Sequence, residues 1–241
     1  MVNWYNKWFG TRYYDLLYNK RDDLEAKHFL DTLVKQLGLE PQAQILDVAC
    51  GKGRHAIYLN KLGFNVTGID LSDNSIAHSK QFENPSLHFY VHDMRRLFRT
   101  NSFDLLLNLF TSFGYFERQH HNAMAINAWA AALKSGGKLV IDFFNVQKIA
   151  MQLVPHQTKQ IDGIGFNISK SFENGYITKT IKVNDDNIEK YFYERVQALT
   201  LNQFEIYFKN AGLKIDSIFG DYDLNSFVPT DSDRLIIIAK K

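Results

Sequence analysis

Short apolar runs alternate along the chain with segments of helical periodicity. Ile45, Leu46 and Val48 around Asp47 read as a buried strand, because a parallel strand covered on both faces has few polar positions. Gly51 and Gly53 then form a tight turn, and a helix is predicted over 54–61. Comparable strands are expected at 64–70, 87–91, 102–110 and 138–142, with two more at 213–218 and 234–239. Helices are expected over 22–39, 73–81, 119–133 and 202–210. In the first of these, Leu24, His28, Leu30, Leu33, Val34 and Leu37 recur at near-helical spacing before Gly38 stops it. Strand and helix in regular alternation predict a doubly wound α/β sheet, with ligands at the carboxyl ends of the strands.

One stretch breaks that alternation. About sixty residues separate the fifth strand from the helix at 202, far more than a crossover needs. Within it Ile164, Phe166 and Ile168 alternate with other residues, Asn174-Gly175 is a hairpin signal, and 177–183 alternates again. After a turn at Asp185-Asp186-Asn187, residues 191–196 complete a predicted three-stranded antiparallel insertion within 146–200. A loop leaving the fifth strand departs from the ligand edge of the sheet, so the insertion is expected to lie over the site. Residues 1–20, dense in aromatics (Trp4, Tyr5, Trp8, Phe9, Tyr13, Tyr14, Tyr18), lead into a helix antiparallel to the first strand and are expected to form the opposite wall. Trp4, Trp8 and Phe9 read as anchors to the core, whereas Tyr14 and Tyr18 read equally well as anchors or as site residues.

The chemistry-bearing residues cluster at predicted strand ends. Asp47 stands four residues ahead of Gly51. A pyrophosphate on the helix N-terminus gains little from an acid there, whereas a ligand carrying an ammonium and a sulfonium gains much. The glycines alone, with Ala56 third, also fit a looser dinucleotide-binding pattern. Asp70, ending the second strand, suits the two ribose hydroxyls of any adenosine.

Asp47 through Gly53 resembles motif I of the class I S-adenosylmethionine-dependent methyltransferases. The resemblance extends through Asp70, His92-Asp93-Met94, the strand from Asp104 to Asn108 with Thr111 to Phe116, and the glycine turn of Leu133 to Asp142. It covers residues 40–145 strongly and implies a single domain over 1–241. It also implies a seven-stranded, mostly parallel sheet whose last strand is antiparallel. The implied cofactor is S-adenosyl-L-methionine. Its implied contacts in the first segment are Asp47, Ala49, Cys50, Gly51, Gly53 and Arg54. Further along they are Asp70, Leu71, Asp93 at the adenine amine, the Met94 backbone N–H at a ring nitrogen, Asn108, and Tyr18 from the arm. The aromatic lead segment is similar to that of small-molecule N-methyltransferases, including those acting on amino sugars.

The implied reaction is direct in-line methyl transfer to a small-molecule acceptor. His121, Tyr115 and Tyr14 are the candidate catalytic residues, with His120 as a neighbour of the first. Asp142 could face the substrate or a structural partner. Remaining alternatives are a cofactor-binding regulator or scaffold without turnover, an RNA or protein methyltransferase, and a nicotinamide-dependent reductase.

Charge and composition narrow these choices. The net charge is only +2, and Lys20-Arg21 and Arg95-Arg96 are short clusters beside acids, so no nucleic-acid partner is expected. No apolar run reaches the ~18 residues that span a bilayer, and Met1-Val2-Asn3 does not begin a secretory signal, so a cytoplasmic monomer or homodimer is expected. Cys50, the lone cysteine, reads as a small packing residue in the turn rather than as a nucleophile. His88, His92, His120 and His121 lack ligand spacing, so no metal is expected.

Overall fold

In a computed structural model, which describes residues 4–18, 23–186 and 188–241 without the side chains at 4, 6 and 23, strand β1 (Gln44–Val48) lies in the interior of the sheet. It pairs in parallel with β2 (Asn65–Asp70) on one side and β4 (Phe103–Asn108) on the other. β3 (Leu87–Val91) extends the sheet beyond β2, and β5 (Leu133–Phe144) extends it beyond β4. β11 (Arg234–Lys240) runs antiparallel beside β5, and β10 (Lys214–Phe219) closes that edge of the seven-stranded sheet. The expectations at Met1 to Asn3, the Trp4 ring, Lys20-Arg21, Asp22 and Asn187 lie outside the described residues.

Successive side chains on β1 point to opposite faces, so two cores form. Leu46 joins Leu106, Trp129 and Phe204 beneath α6 (His120–Ala132) and α8 (Leu201–Asn210). Ile45 joins Phe29, Leu33, Leu59 and Phe89 beneath α3 (Asp23–Leu37), α4 (Arg54–Lys61) and α5 (Asp73–Ser79). Burial on both faces is why β1 and β4 bury only two polar residues, Asp47 and Asn108.

The insertion has four strands, not three: β6 (His156–Ile161), β7 (Ile164–Glu173), β8 (Tyr176–Asp185) and β9 (Ile188–Gln197), paired in that order. The missed strand, β6, is an edge strand exposed along almost its whole length, so no apolar alternation marks it. The Asp162-Gly163 turn joining it to β7, with φ of 49° and 79°, was the available signal. A short helix, α7 (Val146–Gln152), capped by Asn145, precedes it and was also unmarked.

The N-terminal arm forms α1 (Trp4–Trp8) and α2 (Arg12–Tyr18), and it corrects a second expectation. It does not face the insertion across the site as an opposite wall. Trp8, Tyr13 and Leu17 pack directly onto Ile164, Phe166, Ile168, Ile181 and Val183, giving insertion and arm a shared third core. An antiparallel sheet with one apolar face needs a cover, and the arm provides it. Tyr13 donates to Asp185 at 2.7 Å and Trp8 Nε1 to Glu194 Oε1 at 2.7 Å, tying the two together. No helix among the described residues is long and apolar enough to cross a membrane.

Candidate active site

A cavity of about 1010 Å³ opens at the carboxyl ends of the parallel strands, roofed by the insertion and the arm. Ligand sites commonly occupy ~300–1,000 Å³, so this volume has room for two small ligands side by side.

The sheet side of the cavity is shaped by the turn between β1 and α4. Ala49, Gly51 and Gly53 all have positive φ, and the Gly53 N–H donates to Cys50 O at 2.9 Å. The Gly51 N–H donates to Asp70 Oδ2 at 2.9 Å, and the Ser72 N–H to Asp70 Oδ1 at 2.8 Å. These bonds fix the Asp70 carboxylate on the cavity wall. Burial raises its pKa while the Ser72 and Gly51 donors pull it back.

Asp47 is 1 % exposed and lines the same wall, yet its Oδ2 has no hydrogen-bond partner among the described residues. Burial, reinforced by the Asp70 charge, raises its pKa to about 7. A buried carboxylate oxygen without a donor costs stability and is corrected by an incoming cation. An α-ammonium group supplies one, so the Asp47 acceptor fits the methionine end of S-adenosylmethionine, with Asp70 suited to its ribose.

Ala49, Cys50, Gly51, Arg54, Leu71, Asp93, Met94, Tyr14, Tyr18 and Tyr115 also line the cavity. Asp93 is held by Arg95 through Nε at 2.9 Å; burial works to raise its pKa, but Arg95 keeps it below the usual carboxylate range. Burial pushes the Cys50 thiol well above its ordinary value, with Asp47 and Asp70 adding to the effect, which leaves it protonated and inert as a nucleophile. The Arg54 guanidinium sits over the Phe110 ring at 5.3 Å, and the neighbouring His55 imidazole stacks on the same ring at 5.0 Å. Burial and then Arg54 lower the His55 pKa to about 3, so this histidine is neutral.

Three expected site residues do not reach the cavity wall. Gly53 lies behind it, where an added Cβ would meet the Phe89 ring at 2.7 Å; its job there is close packing of helix on strand. Asn108 is buried and donates from Nδ2 to Val48 O at 3.1 Å, joining two strand ends. His121 turns away at the start of α6: its ring packs edge-on against Phe116, and its Nδ1 lies 3.3 Å from Arg95 Nη1. Desolvation, followed by Arg95, lowers its pKa. Tyr115 lines the cavity, but its hydroxyl donates to Thr111 O. Asp142 has a structural partner: it pairs with Arg234 Nε at 2.7 Å and accepts from the Phe110 N–H at 2.8 Å.

The roof carries residues that sequence reasoning missed. Gln157, Lys159, Lys170, Lys179 and Glu194 face the cavity from the insertion, and Lys148 and Arg234 from α7 and β11. The two-residue alternation that buries Ile181 and Val183 on β8 also carries Lys179 to the inner face, and this was the only signal for it. Glu194 accepts from Tyr18 at 2.5 Å. No group of three or more metal-ligating side chains occurs among the described residues.

A family profile described as a methyltransferase domain matches residues 45–137, the half of the sheet that carries Asp47 and Asp70. A putative methyltransferase of Geobacillus sp. is 26% identical over 241 residues, covering 95% of this chain and 97% of its own. A dTDP-3-amino-3,4,6-trideoxy-alpha-D-glucopyranose N,N-dimethyltransferase of Streptomyces venezuelae is 26% identical over 216 residues, covering 86% of this chain and 91% of its own. The crystal structure of a S-adenosylmethionine-dependent methyltransferase from Clostridium acetobutylicum superimposes with a TM-score of 0.80 over 99% of both chains at 22% identity, a likeness of fold. The profile match lies on the strands that carry Asp47 and Asp70, so residues 45–137 carry a methyltransferase domain, in a chain whose fold is that of class I S-adenosylmethionine-dependent methyltransferases.

Proposed function

We propose that the chain methylates a small-molecule acceptor, on nitrogen, by direct in-line displacement. The observation that carries this reading is the roofed cavity, with carboxylates on the sheet side and a polar roof on the other. A roofed cleft of this volume suits a small molecule, whereas a folded RNA or protein needs a broad open surface. The dimethyltransferase named above, whose printed substrate is a nucleotide-linked amino sugar, supports nitrogen as the accepting atom.

Asp47 would hold the cofactor's ammonium, Asp70 its ribose, Asp93 and the Met94 backbone its adenine, and Arg54 its carboxylate. When bound, the cofactor supplies a sulfonium-activated methyl group, and S-adenosylhomocysteine is the leaving product. Tyr14, Tyr18 and Tyr115 narrow the cavity between the two halves and keep water from the reacting atoms. An amine that arrives neutral needs no base before attack. This agrees with Tyr115 donating to a carbonyl and His121 facing Arg95.

The test is transfer from cofactor labelled in its methyl group into a fractionated cell extract. Label in the small-molecule fraction is the expected result. Label confined to protein or RNA would overturn the acceptor class, and binding of S-adenosylhomocysteine without any transfer would favour a scaffold.

A further inference from the structure

We infer that the acceptor carries an anionic group, a phosphate or a carboxylate, which seats on the cross-strand lysine pair Lys170 and Lys179 of the roof. This rests on the reading of the cavity as an acceptor site. Lys170 on β7 lies directly opposite Lys179 on β8, and both fall on the inner face that continues from Ile168 and Ile181. Like charges directly opposite each other in an antiparallel ladder repel, so a sheet does not gain stability from this arrangement. The repulsion is relieved when an anion lies between the two ammonium groups.

The neighbouring carboxylates are already engaged. Lys179 donates to the Tyr18 hydroxyl, lies 4.4 Å over the Tyr18 ring and pairs with Glu194 at 3.8 Å, a carboxylate shared with Trp8 Nε1 and Tyr18, while Asp233 is paired with Lys148 at 2.8 Å. Lys170 is half-buried, and no ion pair or hydrogen bond to its ammonium occurs among the described residues. Lysines often protect exposed sheet edges, and that explains Lys159 on β6. It does not explain Lys170, because β7 is an interior strand paired on both sides. Gln157, opposite Ile168 on the same face, adds a neutral donor.

The experiment uses the full chain saturated with S-adenosylhomocysteine and titrated with two probes, inorganic pyrophosphate and succinate, in the wild type, Lys170→Glu, and the control Lys61→Glu on exposed α4 surface. At least one probe is expected to bind the wild type and the control alike. Lys170→Glu should weaken it about tenfold or more, the scale of a lost charge-assisted hydrogen bond. The probe that binds tells phosphate from carboxylate. An unchanged S-adenosylhomocysteine affinity in Lys170→Glu reports that the variant folds and keeps the cofactor side. Binding of neither probe, or binding indifferent to Lys170→Glu, overturns the inference. A chain that binds the anion but never transfers methyl groups would retain the site and lose the transferase reading, so the two failures are separable.

Discussion

The two walls of the cavity are opposite in charge and in the way they are built. On the sheet side, Asp47, Asp70 and Asp93 sit at the ends of parallel strands, held by backbone N–H groups and by turns that need positive φ. On the roof, lysines project from a meander whose other half is apolar and grips the arm. Every enzyme using this cofactor must recognise the same ammonium, ribose and adenine, and backbone geometry can do that without regard to the acceptor. On the function proposed above, acceptor recognition falls to side chains on an appended sheet, where exchange of one residue leaves the strand pairing intact.

The sharpest way to break this comparison is to remove the roof. Replacing residues 156–194 with a short Gly/Ser loop, and deleting the arm that would otherwise expose Trp8 and Leu17, is expected to abolish methyl transfer while retaining binding of S-adenosylhomocysteine. The cut must spare Val196 and Gln197, because Val196 belongs to the main core and the Gln197 N–H donates to Gly114 O at 2.8 Å. Full transfer in the truncated chain would show that the acceptor binds elsewhere.

A smaller but still large effect is expected on the other wall. Asp70→Ala removes the acceptor for the Gly51 and Ser72 N–H groups as well as the proposed ribose partner. Loss of charge-assisted bonds of this kind costs ~1.5–3 kcal/mol, which calorimetry would read as S-adenosylhomocysteine binding ~10- to 150-fold weaker. An unchanged dissociation constant would remove Asp70 from the cofactor site.

Asp47 gives a pH-dependent version of the same test. With its pKa near 7 in the free protein, ammonium binding favours the ionised form and expels a proton. Affinity is therefore expected to fall as pH drops below about 7, by up to ~10-fold per pH unit, and Asp47→Asn should flatten the profile. Without cofactor the sign for stability is the reverse: the contribution of this raised carboxyl is fullest below pH 4 and is lost as pH rises toward 7. Affinity constant from pH 5.5 to 7.5 would mean that Asp47 meets no cation.

The smallest effect sharpens the assignment at Arg54. Arg54→Ala should weaken S-adenosylhomocysteine severalfold and leave adenosine, which lacks the carboxylate, unaffected. Equal weakening of both would assign Arg54 to holding Phe110 and His55 in place.

The sheet-side wall of the cavity was legible because its constraints are local in sequence. An apolar run with one acid, two glycines a residue apart, and an acid closing the next strand all fall within residues 45–70, and the fold brings them to one edge. The roof was legible only as a β-rich insertion. Its edge strand β6 carries no apolar signal, and its lysines look like ordinary solvent-facing residues until the register of β7 against β8 sets two of them face to face. His121 shows the limit in the other direction. Its position after the fourth strand suggested the site, but the direction of α6 turns its ring toward Phe116 and Arg95.

By itself, then, the sequence determined the doubly wound sheet, the turn after β1 and the pair of carboxylates beside it, because periodicity, glycine φ and strand ends act over a few neighbouring residues. Only the tertiary structure decided that the arm and the insertion share one core, that Gly53 and Asn108 stand behind the wall, and that Lys170 and Lys179 face the cavity together. Those outcomes depend on contacts between segments far apart in the chain, whose register and facing are set by packing.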